Sequence, residues 1–233
     1  MRCGTSCLPP GVMEPAMQIH PSVKDVLKGI LPASMYIAEE FGLPFDYGAG
    51  NRPRHICGNL IEPQKVQILL FLAEPGSNPG PSELNRPVET WLSDISSDGL
   101  GNGGCTLLYR TDSKNDYERR PAEFLARIWP SCDSKEIMKK TIITNSFWMQ
   151  AERSGGKIPI AAERAFSEQL GRIRGAFPNS LVVAAGNKAQ RRCKFANFKY
   201  IPMAALSRPG CNHKSSKASH LEVSDRIRRE FAS

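Results

Sequence analysis

The stretch VQILLFLA at residues 66–73 decides the fold class. A short apolar run of this kind is typical of a strand that is buried on both faces of a sheet. Three further runs, at residues 141–148, 180–186 and 200–206, are predicted to be strands as well. Because segments with helical spacing alternate with these runs, we predict an α/β protein with a mostly parallel sheet of four strands. Helices on both faces would give a three-layer α/β/α architecture.

Apolar residues recur near helical spacing over residues 23–41, and Pro32 is expected to divide this run into two helices. Gly42 is expected to end the second of them. From the amphipathic patterns we also predict helices over residues 121–129, 161–177, 189–193 and 220–231 and a short helix near residues 88–95. We expect residues 1–60 to form an N-terminal arm with helices that pack on the core, and residues 61–233 to form one α/β domain.

The charge of the chain favours a polyanionic partner. Lys and Arg total 31 against 23 acidic residues, which gives a net charge of +8. Simple solubility would explain the total equally well, but the excess is concentrated after Gly186, which suggests a face that contacts phosphates. The basic residues there are Lys188, Arg191, Arg192, Lys194, Lys199, Arg208, Lys214, Lys217, Arg226, Arg228 and Arg229, against Glu222, Asp225 and Glu230.

The seven cysteines are odd in number and irregularly spaced, which favours a reducing cytoplasm over a disulfide framework. Their spacing matches no zinc ribbon, so we expect neither a metal nor another cofactor. No stretch approaches the roughly 20 apolar residues that cross a bilayer. We therefore expect a cytoplasmic monomer that binds no membrane.

Polar residues follow three of the predicted strands at the points where the strands end. Glu74 precedes a Pro-Gly turn, Asn145 ends the second strand, and Arg208 follows the fourth. Ligands of open α/β sheets bind beyond the carboxyl ends of the strands, so a carboxylate, an amide and a cation are expected to converge there. Hydrolysis of a glycosidic bond through an oxocarbenium-like transition state calls for groups of these kinds.

These segments, in this order, resemble the motifs of the uracil-DNA glycosylase superfamily. Pro75 and Gly76 fall on the Pro-Gly pair of its water-activating loop, and Glu74 falls where relatives carry the residue that positions the water. The resemblance implies that Glu74 is the catalytic base. It also implies that Asn145, in the second motif, hydrogen-bonds the flipped base, and that Pro75, Gly76 and Phe147 help to bind it.

The third motif of that superfamily is similar to Arg208-Pro209-Gly210, with Arg208 standing where most relatives have histidine. The resemblance implies that Arg208 stabilises the departing base and that residues 211–217 form a loop that wedges into the duplex. Gly76 leaves room where the best-known uracil enzymes place tyrosine, so a bulkier base would fit. Met149 stands where iron–sulfur relatives carry a cysteine, which argues against a cluster. The residues implied to contact DNA are Ser77, Asn78, Pro209, Gly210, Cys211, Asn212, His213 and Lys214.

The expected function is a monofunctional DNA glycosylase that flips a base and leaves an abasic site. Uracil or another deaminated base in DNA repair and an enlarged modified pyrimidine in anti-phage defence both remain open as substrates. Asn145 could instead satisfy a turn backbone, Arg208 could clamp a phosphate, and Phe147 could pack in the core. The alternative functions are a nucleic-acid-binding protein of the same fold that has lost its chemistry and a hydrolase of free nucleosides.

Overall fold

Five strands form one sheet in the part of the chain that the computed structural model describes, which is residues 18–45, 56–73, 89–90, 92, 116–151, 156–206 and 213–232. The strands are β1 (Ile56–Gly58), β2 (Ile68–Leu72), β3 (Thr141–Asn145), β4 (Leu181–Ala185) and β5 (Ile201–Met203). Their order is β1-β3-β2-β4-β5, with β1 antiparallel to β3 and the other pairs parallel. The predicted mostly parallel α/β sheet is confirmed, and each of the four predicted strands is present.

The predicted number of four strands is wrong because the prediction missed β1 at the edge of the sheet. This strand has only three residues, too few to show a periodic pattern, and its partner β3 lies more than eighty residues further along the chain. Gly58 pairs with Ile142 at a φ of 122°, and a Cβ atom there would overlap the carbonyl oxygen of Thr141. A glycine is therefore required where β1 meets β3.

Successive side chains of β2 enter two different cores. Leu69 and Phe71 lie in the first core, whereas Ile68, Leu70 and Leu72 lie in the second core on the opposite face. Every residue of β2 is buried, because the strand is at the centre of the sheet and has helices on both sides. This two-sided burial is the reason why the segment contains so few polar residues.

Helices cover both faces of the sheet, as predicted. Seven α-helices have defined bounds in the described ranges: α1 (Pro21–Glu40), α2 (Asp116–Ile128), α3 (Ser134–Lys139), α4 (Ile160–Ala165), α5 (Ser167–Ala176), α6 (Asn187–Phe195) and α7 (Lys214–Ala232). A short 3-10 helix, Pro63–Lys65, precedes β2, and residues 89, 90 and 92 are also helical. Side chains of α1, α4, α5 and α6 pack into the first core, and those of α2, α3 and α7 pack into the second. None of these described helices has the combined length and apolar character needed to span a bilayer.

Helix α1 is continuous, so the prediction that Pro32 divides it is wrong. Pro32 lies on the exposed side of the helix together with Lys28, whose carbonyl loses its usual partner and can bind water instead. The buried stripe continues past the proline from Leu31 to Ile37, and tertiary packing of this stripe maintains the helix. Gly42 follows the end of the helix at a φ of 61°, which confirms the predicted stop.

The single helix predicted over residues 161–177 is also wrong, because Phe166 separates α4 from α5. Its ring is fully buried and contacts the rings of Phe147 and Trp148. The junction between the two helices lies at this aromatic cluster, and a periodic apolar stripe does not reveal it.

Replacement of Gly58 by alanine is expected to lower the free energy of unfolding by at least about 2 kcal/mol, because the backbone conformation is strained and the added atom overlaps Thr141. Chemical denaturation measures this. Gly171→Ala is the matched control: it lies in α5 with open space around it and should be neutral or stabilising by up to about 1 kcal/mol. Equal stability of Gly58→Ala and the wild type would contradict the pairing of β1 with β3.

Candidate functional site

The carboxyl ends of β2 and β4 mark the switch point of the sheet. From β2 the chain passes to β3 on one side, and then crosses to β4 on the other. Helix α2, which follows β2, packs in the second core, whereas α6, which follows β4, packs in the first. Connections that leave in opposite directions open a crevice between the two strands, and open α/β sheets bind ligands in such crevices. The candidate site therefore lies at this edge.

The ends of β2 and β3 are joined directly at that edge. Leu72 pairs with Asn145 in the parallel register. The backbone N–H of Ser146 donates to the carbonyl of Leu72 at 2.7 Å, and the Ser146 hydroxyl donates to the carbonyl of Ala73, also at 2.7 Å. Asn145 and Ser146 are both fully buried. The structure thus brings Asn145 beside the residues that immediately precede Glu74.

Arg192, on α6, connects these strand ends to a buried carboxylate. Its Nη1 donates to the Ala73 carbonyl at 2.6 Å and to the Ser146 hydroxyl at 3.2 Å. Its Nε and Nη2 donate to Oε1 of Glu163, on α4, at 3.1 and 2.8 Å. The side chains of Arg192 and Glu163 have no exposed surface. One guanidinium therefore contacts the ends of two strands and a second helix.

Glu163 is shared by two arginines. Arg191 binds it through Nε and Nη2 at 2.8 and 2.7 Å, and 43% of the Arg191 side chain is exposed. Burial by itself would raise the pKa of Glu163, but the hydrogen bonds from Arg191 and the charge of Arg192 outweigh it, so that the pKa is lowered overall. The carboxylate is therefore charged at neutral pH.

This network was not predicted from the sequence, where the concentration of basic residues after Gly186 suggested that Arg191 and Arg192 lie on a phosphate-contacting face. For Arg192 that assignment is wrong, since the residue is buried and binds Glu163. A signal was present: Arg192 follows the buried Ala189 by three residues, which places both on one side of the helix. Helix α6 can begin directly after β4 because Gly186 adopts a φ of 90°.

The chain that leaves β5 is held by α7 at the same edge. The Ala204 N–H donates to the Ser219 hydroxyl at 3.1 Å, and Nε2 of His220 lies 3.2 Å from the Ala204 carbonyl oxygen. His220 is buried, and this burial lowers the pKa of its imidazole. These contacts hold the chain just before Arg208, the start of the third motif.

The described residues include four of the predicted site residues. Asn145 is buried at the end of β3, and His213 and Lys214 are exposed at the start of α7. Phe147 is fully buried, with its ring 4.9 Å from Cζ of Arg192 and in edge contact with Phe166, which gives it a packing role. The predicted site residues outside the described ranges are Glu74, Pro75, Gly76, Ser77, Asn78, Arg208, Pro209, Gly210, Cys211 and Asn212.

Comparison with protein-family models and with curated proteins finds no match. Only the residues and their geometry therefore bear on function. In the ranges that the structure describes, no three His, Cys, Asp or Glu side chains are grouped so that they could hold a metal ion. Cys57 and Cys193 are buried, and burial raises the pKa of the Cys193 thiol to about 12.

Replacement of Glu163 by glutamine is expected to lower the free energy of unfolding by about 3 kcal/mol, because it leaves the charge of Arg192 buried without its carboxylate. The stabilisation from Glu163 is complete above its unfolded pKa near 4.5 and is lost as the pH falls through the lower folded pKa. The free energy of unfolding of Glu163→Gln should therefore not show this decrease as the pH falls. Denaturant titrations between neutral and acidic pH measure both effects.

Glu168→Gln is the control for this change. Glu168 forms an exposed pair with Arg172 at 2.7 Å, and its loss should cost less than about 1 kcal/mol. If Glu163→Gln were as stable as Glu168→Gln at neutral pH, the buried pair would not hold the strand ends together.

Proposed function

We propose that the protein is a monofunctional DNA glycosylase that removes a flipped base and leaves an abasic site. The observation that carries this proposal is the junction at the ends of β2 and β3. There Ser146 binds the backbone at Leu72 and Ala73, with Asn145 beside it. The residues that immediately precede Glu74 therefore lie beside Asn145 at the ends of the two strands. A base and its sugar could be contacted there by both motifs at once.

The proposed reaction is a hydrolysis in which water replaces the base at the sugar. Glu74 orients a water molecule toward C1′ and accepts its proton, while the bond between C1′ and the base nitrogen breaks. The bonding electrons leave with the base, whose negative charge Arg208 stabilises. The Asn145 amide, which can both donate and accept hydrogen bonds, recognises the edge of the base. Glu74 then loses its proton to solvent and the base anion takes up a proton from solvent, so that the products are the free base and an abasic site.

Positive charge near this edge supports DNA as the partner. His213 and Lys214 are exposed at the start of α7, and Lys217 is exposed one turn further along that helix. The whole chain carries a net charge of +8. Lysine and arginine side chains bind phosphates without regard to sequence, so this helix start is suited to position a strand for the motif segments.

Two substrate classes follow from the residues that resemble the superfamily. Uracil or another deaminated base would make the protein a repair enzyme. An enlarged modified pyrimidine would suit Gly76, which lacks the side chain that excludes bulk, and would point to defence against phage DNA. The second class also fits Arg208, because a guanidinium could bind substituents as well as the departing base.

The test is a panel of duplex and single-stranded oligonucleotides that carry deaminated or enlarged modified pyrimidines, treated with alkali after incubation to cleave abasic sites. We expect the wild type to release at least one of these bases. Glu74→Gln should reduce turnover by at least about 100-fold, because the water loses its base, while DNA affinity is retained. Glu168→Gln, which changes an exposed acid on α5, should match the wild type.

Two other outcomes would each favour a different function. Tight binding of the oligonucleotides without release of any base would favour a nucleic-acid-binding protein that has lost its chemistry, in keeping with arginine in place of the third-motif histidine. Cleavage of free nucleosides with weak DNA binding would favour a nucleoside hydrolase. Full activity of Glu74→Gln would remove Glu74 from its role and leave the enzyme class standing.

A further inference from the structure

We propose that Arg192 is a positioning residue for the reaction, because it fixes the points at which the first and second motif segments leave the sheet. This inference rests on the proposed function. Arg192 is a structural neighbour of the first and second motifs, although it lies on α6, outside the three motifs that contain the predicted site residues.

The planar guanidinium of Arg192 sets three groups relative to one another. Its Nη1 binds the Ala73 carbonyl and the Ser146 hydroxyl, and the edge formed by Nε and Nη2 binds Glu163. The Ser146 hydroxyl also donates to the Ala73 carbonyl, so that oxygen receives two hydrogen bonds. The guanidinium is planar and its N–H groups point in fixed directions, so it constrains the relative positions of the groups that it binds. A lysine ammonium, which rotates freely, does not impose these directions.

Stability alone is a weak reason for a buried ion pair at this place. The cost of removing two charges from water commonly cancels their attraction, and apolar side chains of similar volume often stabilise a core as well. Apolar side chains could not bind the Ala73 carbonyl, which is partly buried at the carboxyl edge of the sheet, or the fully buried Ser146 hydroxyl. The polar pair therefore provides directional contacts to the strand ends in addition to cohesion.

The charged groups of this network are also held in defined contacts. Arg191 and Arg192 share the carboxylate of Glu163. Arg192 is fully buried and donates to the Ala73 carbonyl, so solvent has no access to its guanidinium. Arrangement of polar groups before the reaction is the usual way in which a protein lowers the barrier to charge development.

The test compares Arg192→Lys and Ser146→Ala with Arg172→Lys, a control in an exposed ion pair on α5. Single-turnover base release at saturating protein reports the chemical step, and titration with uncleaved DNA reports affinity. Hydrogen exchange of peptides covering residues 68–73 and 141–148 reports the strand ends without requiring activity. We expect Arg192→Lys to lower the single-turnover rate by about 10- to 100-fold, with affinity within about threefold of the wild type, because misplacement affects the reacting geometry more than binding.

Ser146→Ala should show a smaller decrease in the same rate, since it retains the ion pair and removes one contact of the Ala73 carbonyl. Both variants should speed exchange at the two strand ends and leave β4 protected, whereas Arg172→Lys should change neither rate nor exchange. If Arg192→Lys does not fold, the rate and exchange of Ser146→Ala test whether the contacts to the Ala73 carbonyl position the strand ends. Wild-type rate and exchange in the folded variants would overturn the positioning role. If the wild type releases no base, the proposed function fails, and the exchange data still decide whether Arg192 holds the strand ends.

Discussion

The buried contact between Arg192 and Glu163 is the constraint on which this edge of the structure depends. A lone charge in a core is very costly, so each of these residues requires the other wherever the helices place them. The pair ties α6 to α4 and, through the Ala73 carbonyl, ties both helices to the central strand. The positions of α4 and α6 are therefore coupled to the ends of β2 and β3 by directional bonds as well as by packing.

The sheet was largely predictable from the sequence, because burial on two faces leaves a strong local signal. The side chains of β2 and β3 enter both cores. Their apolar runs indicate this burial even when the neighbouring strands are not known. Strand β1 gives no such signal, because its place depends on a distant pairing and on one glycine conformation. The continuity of α1 through Pro32 likewise comes from tertiary packing, which local propensity does not contain.

The edge of the sheet at which the candidate site lies was predictable from the sequence. The buried side chains that hold this edge together were not. The rule that polar residues gather beyond parallel strands placed Asn145 at the edge where the structure has it. Arg192 and Glu163 were not recognised, because they are 29 residues apart and an arginine in a basic segment suggests a surface position. The spacing from Ala189 to Arg192 indicated one side of the helix, but only the three-dimensional arrangement shows the carboxylate of Glu163 that binds the guanidinium.

The strand ends on the two sides of the switch point are bound by side chains of different kinds. At β2 and β3 the holding group is a charged guanidinium, whereas beyond β5 it is a pair of side chains on α7, Ser219 and His220, that bind the backbone of Ala204. Burial lowers the pKa of His220, so this second attachment is neutral at physiological pH. Attachments of this kind hold strand ends in place before a ligand arrives, as a site assembled on strand ends requires. The edge is thus held by a charged attachment at β2 and β3 and by a neutral attachment beyond β5.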